Sequence, residues 1–134
     1  MAVRMELSRI LICELHDLQV IELAEVGGDR TFPILIGISE AEAIRRRFQG
    51  VDLKRPLTHE LLLSVIESFG GELESVTVSD LSDHTFFATL DIRGSDGEVR
   101  HIDARPSDAV ALAAGTEMPI FVEEHVIESA QADF

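Results

Sequence analysis

A single cysteine, no long apolar run and a shortage of basic residues limit what this 134-residue chain can be. One cysteine, Cys13, excludes an internal disulfide, and no CxxC pair is present to build a thiolate zinc cage. Behind Ile10, Leu11 and Ile12, and with no adjacent cation to lower its pKa, Cys13 is expected to be a small buried hydrophobe rather than a reactive thiol. Uninterrupted apolar runs are of the size of Ile10-Leu11-Ile12-Cys13, far short of the ~20 residues that span a membrane. Glu6 and Arg9 interrupt the start where a signal peptide needs a continuous apolar region. A cytoplasmic protein without a membrane partner is expected. No stretch is biased enough toward Pro, Ser or Gly to read as a linker, so residues 1–134 are expected to form one domain.

Missing motifs narrow the chemistry. There is no Walker A loop, no GxGxxG, no GxSxG elbow and no HExxH. The five histidines, His16, His59, His84, His101 and His125, lack the ligand spacing of a structural zinc site and are expected at the surface or in turns. Bases are scarce, 11 against 25 acids, and the net charge of −14 repels polyanions at long range. A local exception is the group Arg45, Arg46, Arg47, Lys54 and Arg55. These cations complement a helix dipole in its last turn, and they also suit a phosphate.

What is present reads as strands, then helices, then strands again. Residues 3–7 alternate as a half-buried strand does, 18–26 form a second strand, and Gly27-Gly28-Asp29 turns into a third at 30–37. Pro33 cannot donate to a ladder, which places that third strand at an edge or interrupts it. Ser39 with Glu42 fits a capping box, Ala41, Ile44 and Phe48 form a buried stripe, Glu42 and Arg46 stand at i,i+4, and Gly50 ends the helix. A second helix starts at Thr58 and carries a broad apolar stripe of Leu61, Leu62, Val65, Ile66 and Phe69. Strands follow at 72–81, 85–93 and 98–104, then a helix at 107–114 with Ser107 as N-cap, a short strand at 118–122 and an acidic tail of about ten residues. The expected fold is α+β, mostly antiparallel, with about three helices packed on the sheet.

The hairpin before the last helix decides which polar side chains meet. With a two-residue loop at Ser95-Asp96, Asp91 would face Arg100. With a type I turn closed by a left-handed Gly97, pairing shifts by one and each face of the return strand flips. The second arrangement is preferred, because it sends Ile102 and Ala104 to the core and leaves His101, Asp103 and Arg105 beside Asp91 and Thr89. Asp91 and Asp103 with an imidazole could hold Mg²⁺ or Mn²⁺, which would polarise a phosphodiester or activate water, and Arg105 suits a phosphate oxygen. The alternative is an ordinary cross-strand pair of Asp91 with Arg100 or His101, with Asp103 and Arg105 joined in an internal ion pair. Asp108 in a first helical turn is favoured by the dipole in either case.

Arg55-Pro56-Leu57-Thr58-His59-Glu60-Leu61, then Gly70-Gly71 with a strand ending Asp80-Leu81, Thr85-Phe86-Phe87-Ala88, and Ile102-Asp103-Ala104-Arg105-Pro106-Ser107-Asp108-Ala109 follow in an order and spacing that resembles the bifunctional nuclease domain family. The resemblance covers nearly the whole chain outside the last ten or so residues. It implies a compact single-domain α+β protein, a homo-oligomer, with nuclease activity toward DNA and RNA. It carries no settled catalytic residues, but draws interest to Arg55, Thr58, His59, Asp103, Arg105, Ser107 and Asp108.

Two functions follow. In the first, the protein is a metal-assisted phosphodiesterase acting on nucleic acid: Asp103 with Asp91 or Asp108 holds Mg²⁺ or Mn²⁺, His59 or His101 is acid or base, and Arg55 and Arg105, beside Thr58 and Ser107, clamp phosphate. In the second, it is a non-catalytic oligomeric binding or regulatory module whose polar motif supports the fold. Asp103 and Asp108 buried in hydrogen bonds to backbone N–H groups and to Arg105 would favour the second, and the same carboxylates lining an open cleft with the Arg45 to Arg55 cluster nearby would favour the first.

Overall fold

The computed structural model describes every residue except Glu14, His16 and Phe134, so the expectation for His16 lies outside the described residues. Among the described residues, seven strands and four helices follow in the order β1 Ala2–Leu11, β2 Leu18–Glu25, β3 Thr31–Gly37, α1 Ile38–Gln49, α2 Thr58–Ser68, β4 Glu72–Ser82, β5 Thr85–Arg93, β6 Val99–Ala104, α3 Pro106–Ala113, β7 Ile120–Glu123 and α4 Glu124–Asp133. The strands form one sheet in the order β3-β2-β1-β7-β4-β5-β6. Neighbours are antiparallel except β4 and β7, which run parallel. The molecule is α+β overall. Among the described residues no helix is long and apolar enough to cross a membrane.

The three-helix expectation is corrected: the tail is a fourth helix. Its Val126, Ile127 and Ala130 recur at helical spacing and are fully buried, so α4 is part of the core despite the acids around it. It stands against a strongly curved sheet. Phe32 of β3 and Phe86 of β5 stack with ring centroids 5.6 Å apart, although four strands separate β3 from β5 along the sheet. The concave side is therefore a half-closed trough. Phe32, Ile34 and Ile36 point into it from β3, Val76 and Val78 from β4, and Ala88 and Leu90 from β5. Along α3, the small residues Ala109, Ala111 and Ala113 let the backbone sit close to that floor, and all three are buried.

The β5–β6 hairpin takes the register that a left-handed Gly97 requires: Gly97 has φ 83, and Leu90 lies opposite Ile102 and Asp91 opposite His101. Ile102 nevertheless remains 46 % exposed, because β6 is the edge strand and the helical layer does not extend over it. Pro33 lies in β3, the other edge, where a missing N–H costs no ladder bond.

Several local expectations are corrected. Gly37, not Ser39, is the N-cap of α1, and Glu42 pairs with Arg45 rather than Arg46. Phe48 is exposed, and Gly50 closes the helix in the left-handed region with φ 68. Leu57 rather than Thr58 caps α2, its N–H donating to Glu60 Oε1 at 3.2 Å. No residue of α2 is buried: Leu61 and Val65 are exposed and Phe69 is 84 % exposed at the C-cap, so its apolar stripe faces outward in part. Arg105 is the N-cap of α3, which makes Ser107 the second helical residue. Cys13 is exposed, its backbone held by the buried Gln19 side chain, whose Nε2 donates to Cys13 O at 3.0 Å.

Candidate functional site

Proline organises the first polar cluster. Pro106 follows Arg105 and excludes it from helical backbone, so Arg105 is extended with φ −72 and ψ 146, and Pro106 starts α3. The chain then turns under the Arg105 side chain and brings Asp108, in the first turn of α3, back to it. Arg105 Nε donates to Asp108 Oδ2 at 2.9 Å and Nη2 donates to Oδ1 at 3.2 Å. Arg105 Nη1 donates to Glu40 Oε1 of α1 at 3.2 Å. From the first turn of α2, His59 Nε2 reaches Asp108 Oδ1 at 3.0 Å. The cluster thus ties the N-terminal turns of three helices together. Burial pushes the Asp108 carboxyl up, but the Arg105 guanidinium and His59 outweigh it and hold the group below its ordinary range.

Asp108 is partly open to solvent and bonded to Arg105 and His59 rather than to backbone amides, so the Arg105 part of the structural expectation is met and the backbone part is not. Clefts lie on both sides of the cluster, lined by His59 on one side and by Arg105 on the other but by Asp108 on neither. One, of about 360 Å³, is lined by His59, Glu60, Arg46 and Arg47. The other, of about 570 Å³, is lined by Arg105, Glu40 and Ser107 with Ile34, Ile36 and Phe86.

The second polar cluster sits on the uncovered face of the sheet. Asp91, only 6 % exposed, accepts from Ser75 Oγ and Thr77 Oγ1 on Oδ2, each at 2.7 Å. Its Oδ1 accepts from Thr89 Oγ1 at 2.9 Å and meets His101 Nδ1 at 2.7 Å. Burial raises the Asp91 pKa, and His101 with the three hydroxyls reverses that and holds it low. Four partners fill the roughly four lone-pair sites of a carboxylate. Asp91 therefore has no site left for a cation. Asp103 lies on the same face, opposite Thr89, exposed and without a hydrogen bond or ion pair among the described residues. Among the described residues no group of three or more His, Cys, Asp or Glu gathers as metal ligands. The Asp91 and Asp103 donor set does not fit a resident Mg²⁺ or Mn²⁺.

The remaining residues singled out from sequence separate. Asp103, on the uncovered face, is not brought to Asp108, whose helix lies on the covered one. Arg55 and Thr58 are exposed at the entry to α2. The basic group divides as well. Arg45 pairs with Glu42, while Arg47 donates to Leu112 O of α3 at 3.1 Å, to Ala111 O, and to Glu60 Oε2 at 2.7 Å. Arg47 therefore satisfies carbonyls at the C-terminal end of α3 and fixes the carboxylate that caps α2. Glu40 and Arg47 are both positioning residues of this region that no sequence spacing connects to α3.

The family model of the bifunctional nuclease domain matches residues 21–134. An uncharacterised protein of Mycobacterium tuberculosis is 45 % identical over 111 residues, which are 83 % of this chain and 65 % of that protein. Bifunctional nuclease 1 of Arabidopsis thaliana is 25 % identical over 107 residues, 78 % of this chain and 33 % of that protein. Bifunctional nuclease 1 of Oryza sativa subsp. japonica is 21 % identical over 104 residues, 76 % of this chain and 31 % of that protein. The chain thus spans 65 % of the length of the mycobacterial relative and about a third of the plant ones.

Proposed function

The chain belongs to the bifunctional nuclease domain family, and we propose that it hydrolyses phosphodiester bonds of nucleic acid at the junction where His59 meets Asp108. The observation that carries this reading is their 3.0 Å contact, which joins the two Arg-Pro segments at a cluster flanked by two clefts. Asp108 orients His59 through Nε2, leaving Nδ1 to take a proton from the attacking water as its oxygen bonds to phosphorus. That proton then passes to the leaving oxygen as the P–O bond breaks. Arg105 has five N–H groups, and three are held by Asp108 and Glu40. Five minus three leaves two for a phosphate oxygen. Arg55 and Thr58 are proposed to meet the flanking backbone.

Mg²⁺ binds through one or two carboxylates plus substrate phosphates and keeps several waters. Any dependence on Mg²⁺ or Mn²⁺ is therefore attributed to ions carried on the nucleic acid, which also offset the net charge of −14. Purified protein assayed on single-stranded DNA and RNA, with and without EDTA, tests the reading. Cleavage lost in His59→Ala supports it, and no cleavage after contaminating nucleases are excluded contradicts it.

A second reading, an oligomeric module without catalysis, is favoured by one observation: α2 exposes Leu61 and Val65, with Phe69 beside them at its C-cap. A second copy would pack its own α2 there about a two-fold axis. Sedimentation of wild type against Phe69→Lys checks it, with a shift toward monomer expected.

A further inference from the structure

The larger cleft opens at the seam of the trough, between β3 and the junction of β5 with α3. Its volume of about 570 Å³ lies within the roughly 300–1,000 Å³ usual for small-ligand pockets. Ile34, Ile36, Leu35 and Phe86 make apolar walls. One polar side chain is set deep in it. Ser107 is 6 % exposed, and its hydroxyl has no hydrogen-bond partner among the described residues. Since no sealed side-chain polar atom there lacks a partner, the Ser107 oxygen is open to the cleft that it lines. An oxygen open to the cleft can exchange its hydrogen bond to solvent for one to a ligand.

At the mouth stands Arg105, the residue whose two uncommitted N–H groups are assigned to phosphate above. A flat apolar body, a polar edge able to exchange a hydrogen bond with a hydroxyl, and an anionic group at one end together describe a nucleotide. We propose that this cleft is a nucleobase pocket and that the substrate is single-stranded nucleic acid, one base of which enters between Ile36 and Phe86 while its phosphate lies on Arg105. The proposal rests on the nuclease reading for Arg105. A paired base cannot enter without leaving its stack, so a duplex would first bear the cost of unpairing.

Amide NMR titrations of the whole chain with adenosine monophosphate and with ribose phosphate separate the pocket from the cleavage reaction. Adenosine monophosphate is expected to shift the amides of Ile34, Ile36, Phe86 and Ser107 saturably, and ribose phosphate to bind about tenfold more weakly. Ser107→Ala is expected to weaken adenosine monophosphate about fivefold. If that variant does not fold, Leu35→Ala at the exposed rim takes its place with the same expectation. Equal binding of the two probes, shifts mapping away from the cleft, or wild-type affinity in the folded variant overturns the pocket. Base-dependent binding in the cleft without any cleavage of oligonucleotides leaves the pocket standing and removes only the nuclease reading.

Discussion

The imidazole of His59 and the carboxylate of Asp108 meet at 3.0 Å although 49 positions separate them in the chain. One comes from the first turn of α2 and the other from the first turn of α3, each just after an Arg-Pro pair. Because Arg105 holds the same carboxylate, Asp108 is fixed from two sides and can hold the His59 ring in one orientation. His59→Ala is expected to lower cleavage of single-stranded oligonucleotides by about 10²–10⁴-fold, the usual contribution of acid–base catalysis. Its melting temperature should move little, because it loses one partly exposed contact.

Asp108→Asn keeps the shape and removes the charge that Arg105 and His59 share. Cleavage should fall about as far as in His59→Ala if the two act as a unit. Stability should drop by only ~1 kcal/mol, the scale of a hydrogen bond to a charged group discounted for partial exposure. Unfolding in urea beside the cleavage rate checks both values.

The Asp91 cluster should behave in the opposite way. Asp91→Ala leaves Ser75, Thr77, Thr89 and His101 without their common acceptor, and a loss of about 3 kcal/mol is expected. Activity per folded molecule should be retained, since this face is outside the proposed centre. Active-fraction titration of the folded variant at low temperature is the appropriate measurement.

Both carboxylates hold their pKa below the ordinary value in the folded state. The unfolded chain therefore binds protons more readily as pH falls. The stability that these groups confer is fully present above about pH 4, the unfolded carboxylate value, and is lost as pH falls through the lower folded values. Unfolding free energies measured from pH 6 down to pH 2 should show this loss, less steeply in Asp91→Asn.

Arg47→Met should destabilise by about 2 kcal/mol, because it frees the α3 carbonyls and the Glu60 cap together. Arg45→Ala, which breaks a surface pair within one helix, should cost no more than about 0.5 kcal/mol. Thermal melts of the pair compare them.

The β4–β5–β6 meander was legible because its side chains alternate and Gly97 dictates the register, so Asp91 could be placed opposite His101. Exposure was less legible. Ile102 alternates like a core residue but lies on an edge, and α2 carries an apolar stripe that the fold leaves largely uncovered. The tail hid a helix because Glu123, Glu124, Glu128 and Asp133 dominate its composition while three apolar contacts decide its packing. Within the candidate site, His59, Arg105 and Asp108 each stood out in the sequence. Their meeting did not, since it depends on two helices converging from distant segments. Arg47 could not be assigned, because its main partners are backbone carbonyls of Ala111 and Leu112, which have no sequence signature.

The most direct test compares cleavage of one single-stranded oligonucleotide by wild type, His59→Ala and Asp91→Asn, each purified to constant background and shown to be folded. The predicted result is cleavage by wild type and Asp91→Asn at comparable rates, with a loss of at least about 10²-fold in His59→Ala. Equal cleavage by wild type and His59→Ala, or a loss confined to Asp91→Asn, would contradict a centre built on His59 and Asp108.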